Sequence, residues 1–262
     1  MSESRMTFEE CARRILQREL RRPVVLHDDG RRPGLYDLRV GDAEAPDIAI
    51  ECVGAVDSVR TETWNIGPAQ GPLSLHLAGD WHVVLRPHAR MKEIKSRLED
   101  VLQECELANM SGFRPVDWSL EHHNPHIFTA LDALRIDSIT CVREVGTGQV
   151  DFGMTGTGGA VDPYGSAVPG WIEEFLNAPD RRDVIEKLKR SGAVRCHVFV
   201  GVSFVGVPWP VESYLGDRTE YVPAISPTLP SCVDAVWIMY GRRGVHWDGS
   251  RWRFFDGIVP AA

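Results

Sequence analysis

Gly34-Leu35-Tyr36-Asp37-Leu38-Arg39-Val40 and Asp47-Ile48-Ala49-Ile50-Glu51-Cys52-Val53 decide how this chain is read. Both runs are strand-like: β-branched and aromatic residues alternate, bounded by Gly, Pro and Asp. The segment between them, Gly41-Asp42-Ala43-Glu44-Ala45-Pro46, is turn chemistry. The two strands are therefore expected side by side in one sheet. Residues two apart on a strand share a face. That puts Leu35, Asp37 and Arg39 on one face of the first strand, and Ala49, Glu51 and Val53 on one face of the second. A carboxylate in the middle of an apolar strand costs several kcal/mol to bury unless a cation compensates it. A divalent metal ion would do so, and so would Arg39, two residues from Asp37.

The rest of the chain suits an α/β fold, a mixed β-sheet flanked by helices. Thr7-Phe8-Glu9-Glu10 is a capping box, and Phe8, Cys11, Ala12, Ile15, Leu16 and Leu20 mark one apolar helical face. Arg13, Arg14, Arg18 and Arg21 lie mostly elsewhere on that helix, as a solvated face or a basic flank. Pro23 ends it, and strands are expected at 24–27 and again in the two motif runs. Residues 54–79, rich in Gly, Pro and Thr, read as a long loop. A strand at 81–85 and an amphipathic helix at 91–108 follow, with Ile94, Leu98, Val101, Leu102 and Cys105 on one face. That helix is expected to cross over to a parallel strand at 138–142, preceded by a short helix at 127–134. The glycine-heavy stretch 146–170 reads as loop. Its Gly156-Thr157-Gly158-Gly159 lacks the Gly-Lys-Ser/Thr ending of a phosphate loop. Helices at 171–176 and 180–191 lead to a buried strand at 194–204. Beyond Gly206 come an irregular proline-rich stretch, a strand at 232–240 and a hairpin around Asp248-Gly249.

The acid placement resembles a known family. Asp37, then Glu51-x-Val53 in an apolar strand, is similar to the PD-(D/E)XK signature of restriction-endonuclease-like nucleases. More narrowly, the chain resembles a group of actinobacterial proteins that carry this core. They also carry a late Lys-Leu segment, here Lys187-Leu188, and a His-hydrophobic-Phe-Val strand, here His197-Val198-Phe199-Val200. The resemblance covers about residues 7–205. It implies a restriction-endonuclease-like core with a C-terminal β extension over about 206–262, together one domain. It also implies Mg²⁺ held by Asp37 and Glu51, and hydrolysis of phosphodiesters. The family's lysine would fall at Val53, which holds neither proton nor charge. Arg39 is the geometric candidate to hold a phosphate in its place, but it stays charged and is a poor proton acceptor. Lys187 and Lys189 stand in for the lysine only if their helix packs beside Glu51. Two functions follow: a Mg²⁺-dependent nuclease with a degenerate site, or a catalytically inactive descendant. The latter would use the same sheet edge to bind a protein, a nucleic acid or a small ligand.

Composition weighs on both readings. A hydrophobic share of 43% over 262 residues supports a core of good size. The formal net charge of −8 argues against tight, sequence-independent nucleic-acid binding, although a local basic groove is compatible with it. Six cysteines, none in Cys-x-x-Cys spacing, read as free thiols of a cytoplasmic chain. No signal peptide or membrane-spanning run is visible. His122-His123-Asn124-Pro125-His126 is the densest histidine cluster, but Pro125 interrupts a shared helix face, so a surface loop is expected. His197 follows Cys196 on a strand, where neighbours face opposite ways, so the two do not form a nucleophile–base pair. Trp237, Tyr240, Trp247, Trp252, Phe254 and Phe255 read as core and cross-strand pairs rather than base-stacking platforms.

Overall fold

The first helix, α1 (Phe8–Leu20), starts where the capping box places it: the Thr7 hydroxyl accepts the Glu10 amide at 3.2 Å. It buries Ala12, Ile15 and Leu16, the i, i+3, i+4 face of its pattern. The computed structural model describes residues 6–28, 34–113, 124–217 and 219–258. They form two compact units: Met1–Val56 with Ala160–Ala262, and Asp57–Gly159. The sequence points to one domain, within which the apolar residues of the middle segment close a core of their own.

The first unit begins with α1, β1 (Val25–Leu26), β2 (Leu38–Gly41) and β3 (Pro46–Ala55). The second unit then supplies α2 (Ser58–Ile66), β4 (Leu73–Ser74), β5 (Asp80–Leu85), α3 (Met91–Leu107), β6 (Gly112–Phe113), α4 (Pro125–Ala133), β7 (Ile136–Arg143) and β8 (Gln149–Met154). The first unit resumes with α5 (Ala167–Asn177), a 3-10 turn (Pro179–Arg181), α6 (Arg182–Arg190) and β9 (Arg195–Val202). It closes with α7 (Trp209–Gly216), β10 (Ala235–Tyr240), β11 (Arg243–Trp247) and β12 (Trp252–Asp256).

The first unit is built on a seven-stranded mixed sheet in the order β1-β2-β3-β9-β10-β11-β12. β3, β9 and β10 run parallel, and antiparallel pairs flank them on both sides. The C-terminal strands thus extend the same sheet. The alternation along β3 sorts two cores. Ile48 and Ile50 pack with α1, Phe199, Trp237 and Phe255 on one face. Ala49, Val53 and Ala55 pack on the other with Val168 and Ile172 of α5, Val184 and Leu188 of α6, and Val211 and Tyr214 of α7. The 244–255 region is the expected hairpin, with Trp247 opposite Trp252.

The second unit holds a five-stranded sheet, β4-β8-β5-β7-β6, whose Trp81, Val83 and Leu85 pack on Ile94, Leu98 and Leu102 of α3. Several expectations change in the two units. α2 occupies part of the expected loop, capped by Asp57, whose side chain accepts the Arg60 amide at 3.0 Å. β7 runs antiparallel to β5, and the parallel neighbour of β5 is β8, drawn from the glycine-heavy stretch read as loop. In the C-terminal stretch, α7 forms despite Pro208 and Pro210. Both lie at its start, where a missing amide removes no helical hydrogen bond.

Candidate functional site

The site grows from the pairing of β2 and β3. Leu38 pairs with Ile50 in antiparallel register, so Asp37, one residue earlier, lies beside Glu51. The Cys52 amide donates to Asp37 Oδ2 at 2.7 Å, and the His27 amide donates to the Asp37 carbonyl at 2.8 Å. Asp37 is thereby fixed by backbone on both sides. Glu51 shares the face of Ala49 and Val53, as the strand period requires, and that face is covered by α5, α6 and α7. Glu51 is only 3% exposed.

The cation beside Glu51 comes from α6. Val184 and Leu188 anchor this helix in the core and bring it against β3 and β9. Lys187, three residues after Val184, stands at the edge of that buried face. Its Nζ donates to Glu51 Oε1 at 2.6 Å. The condition attached to Lys187 in the sequence reading is therefore met: its helix packs beside Glu51. Val53 is 8% exposed and packed in the same core, so position 53 does not look into an open cleft.

Arg39 goes elsewhere. Its guanidinium turns along the strand to the Gly41 carbonyl. Asp183, which the sequence reading did not single out, stands one helical turn before Lys187 and adds negative charge felt by both Glu51 and Lys187. Its spacing of four from Lys187 on an expected helix was the available signal.

Burial governs the ionisation. It raises Asp37 above the ordinary carboxyl range, against the lowering pull of the Cys52 amide and of Lys187. Burial also raises Glu51, to about 7, against its hydrogen bond from Lys187 and with added repulsion from Asp37. Burial pulls Lys187 down, but contact with Glu51 outweighs it, and the ammonium is held above its usual value. Lys187 is thus a standing positive charge rather than a proton acceptor.

One atom is left over. Glu51 Oε2 is buried without a hydrogen-bond partner among the described residues, although a buried carboxylate oxygen ordinarily has one. Together with Asp37, it presents hard oxygen donors of the type Mg²⁺ prefers. Mg²⁺ is commonly held by only one or two carboxylates and keeps several waters. Asp37 and Glu51 fit that pattern. Among the described residues, no group of three or more His, Cys, Asp or Glu is placed to hold a metal ion.

The other sequence candidates do not join this site. His126 lies in the first turn of α4, exposed, 3.3 Å from Glu104. Pro125 opens that helix instead of breaking it, while His122 and His123 lie outside the described residues. Lys189 pairs with Glu186 at 3.7 Å on the surface of α6. His197 is buried on the opposite face of the sheet, and Trp237 and Phe255 are core residues there. All six cysteines are free thiols.

Among the described residues, no helix is long and apolar enough to cross a membrane. No family model, no curated protein and no solved structure matches this chain.

Proposed function

We propose that the first unit is a restriction-endonuclease-like core. Its Asp37, Glu51 and Lys187 would form a Mg²⁺-dependent phosphodiester-hydrolysing site, with the motif lysine supplied from α6 instead of position 53. The observation that carries this reading is the divided Glu51 carboxylate: Oε1 on the Lys187 ammonium, Oε2 buried and unpartnered. The element order supports it: α1, three strands, then α5, α6 and β9 after the inserted unit, with β9 parallel to β3. Fold alone does not assign activity, so the residues must carry it.

Asp37 and Glu51 would hold the metal ion. Bound there, Mg²⁺ would lower the pKa of its water and stabilise charge on the phosphate. The overall reaction adds water to phosphorus and breaks one P–O ester bond; the water's proton ends on the departing alcohol. In this scheme the backbone bonds to Asp37 hold its carboxylate in place. Lys187 meets the negative charge that builds on the phosphate oxygens. The surrounding core of Val53, Val184 and Leu188 keeps the site's dielectric low, which strengthens both contributions.

The second reading is a catalytically inactive binding protein using the same sheet edge. The packing of Val53 and the near-complete burial of Glu51 favour it, because Glu51–Lys187 then serves as an internal ion pair. Cleavage of supercoiled plasmid and of labelled single- and double-stranded oligonucleotides, with Mg²⁺ or Mn²⁺, separates the two. The hydrolytic reading expects metal-dependent cleavage, reduced at least about 100-fold in Glu51→Gln and in Lys187→Met. No cleavage of any substrate by the folded protein, or cleavage unchanged in both variants, discards it.

A further inference from the structure

Next to Lys187 lies a cavity of about 150 Å³, outside the carboxylate pair itself. His27, Gly34, Tyr36, Lys187, Arg190 and Ser191 line it, and no carboxylate does among the described residues. In a chain of net charge −8 this is a local exception, with two cations on one small hollow. Lys187 shares its charge with Glu51, so Arg190 supplies most of the free positive field. Arg190 Nε donates to the Glu186 carbonyl at 3.1 Å, which orients the guanidinium. Its two terminal nitrogens have no hydrogen-bond partner among the described residues. They lie 3.6 and 3.9 Å from where a Gly34 side chain would begin. Gly34 has φ +82°, a left-handed turn that lets its bare backbone pass under the guanidinium. The opposite wall is aromatic: the His27 ring stacks on Tyr36 with centroids 4.2 Å apart and planes 17° apart. Tyr36 is anchored in the core.

We propose that this cavity binds a phosphate group of a nucleotide chain, with the free guanidinium edge of Arg190 as its principal anchor. The forked edge matches two phosphate oxygens at once, which an ammonium does not. The volume lies below the ~300–1,000 Å³ of pockets for drug-sized ligands, and suits one phosphate with its ester-linked carbons. The His27 ring, stacked on Tyr36, offers an N–H or lone pair to such a group. The anion subsite stands on the cavity itself. Its assignment to a nucleotide chain rests on the hydrolytic reading, because Lys187 borders both places and a neighbouring phosphate of one strand would reach it.

The test is titration of the full chain in EDTA, followed by amide NMR shifts and calorimetry. The probes are inorganic phosphate, and a thymidine trinucleotide with and without a 5′-phosphate. The trinucleotides are expected to bind more tightly than inorganic phosphate. Arg190→Ala should weaken them at least tenfold with an unchanged melting temperature, and Arg190→Lys should restore only part. Arg190-dependent binding with no cleavage by any form would uphold the subsite and remove only the hydrolytic reading. Equal binding by Arg190→Ala, or binding of inorganic phosphate but neither trinucleotide, overturns the proposal.

Discussion

Two polar clusters lie buried on opposite faces of the seven-stranded sheet, one strand apart, and they solve burial in different ways. On the α6 face, Glu51 keeps a charged partner, Lys187. On the α1 face, His197 and His246 give up charge instead. His197 pairs in register with Ile50, the residue before Glu51. Trp237 stands between the imidazoles: His246 stacks on its ring at 3.5 Å, and its Nε1 donates to His197 Nδ1 at 3.4 Å. Arg253 Nε donates to His246 Nδ1 at 2.9 Å. Each imidazole therefore accepts at Nδ1 and carries its proton on Nε2. Both Nε2 atoms are buried without a partner among the described residues. Burial, aided by Arg195 for His197 and first by Arg253 for His246, lowers both to about 3. A neutral stacked ring is compatible with a core, whereas a carboxylate retained beside a lysine preserves an electrostatic centre. The difference teaches that the acid face, not the histidine face, is where this sheet keeps charge.

The largest expected effect tests the neutral side. An imidazole with a folded value of about 3 and an ordinary value of 6.5 contributes full stability above 6.5. That contribution is lost as pH falls from 6.5 toward 3, because the unfolded ring gains a proton first. By pH 5 each imidazole is expected to remove about 2 kcal/mol. Glu51, raised to about 7, contributes in the opposite sense over this range, so the measurement is a comparison: urea unfolding of His246→Phe, which keeps a ring on Trp237, should show about 2 kcal/mol less loss between pH 7.5 and pH 5 than the unsubstituted protein. The same pH dependence in His246→Phe as in the unsubstituted protein would mean that His246 takes up its proton while folded, and that the contrast between the faces is false.

Val53→Lys comes next and tests the other side. Position 53 sits in the core with Ala49 and Ala55, and Glu51 already has its cation. A second ammonium there would be buried without a free partner, at a cost of about 3 kcal/mol. A thermal melt with and without Mg²⁺ reads the loss. An unchanged melt would show that β3 yields at this position and that an open cleft reaches Val53.

How much of this was legible in the sequence depended on range. Asp37 and Glu51 were placed together because two strands joined by a short turn obey the period of two, a purely local rule. The same rule put Val53 on the Glu51 face but gave no sign that α5, α6 and α7 would close over it. Lys187 is 136 residues from Glu51, and its approach depends on how Val184 and Leu188 seat α6 on the sheet. No spacing encodes that, so it stood only as a condition. The 57–159 insertion was hidden for a related reason: its Gly- and Pro-rich entry resembles a loop, while its strands pair out of chain order. The buried imidazoles were half visible. His197 read as a core residue, but its partner Trp237 lies two strand pairings from Arg253.

A smaller effect is expected from dissolving the ion pair. Lys187→Met leaves Glu51 buried with neither oxygen paired, and should cost about 2 kcal/mol at pH 8. Adding Glu51→Gln in the same chain should recover most of it, since a neutral amide is cheaper to bury unpaired than a carboxylate. Urea unfolding of both single variants and the double variant gives the coupling energy. Additive losses would mean that the two groups do not interact in solution, and Glu51 would then match the histidine face by holding itself neutral.

The smallest effect, and the finest cut, is Arg39→Ala. The guanidinium reaches the Gly41 carbonyl at the end of β2, and the side chain is half-buried. Its removal should change stability by no more than about 0.5 kcal/mol, the usual range for such positions. It should also let the His27 pKa rise, since Arg39 is the nearby charge that, after burial, holds it down. NMR titration of His27 reads that shift even in a protein with no activity. If metal-dependent cleavage exists, Arg39→Ala should retain most of it, whereas Lys187→Met should not. The reverse result, with Arg39→Ala folded but inactive, would move the cationic role from α6 back to β2. The charged face would then be organised by the strand that carries Asp37, and Lys187 would be only the counterion that lets Glu51 be buried.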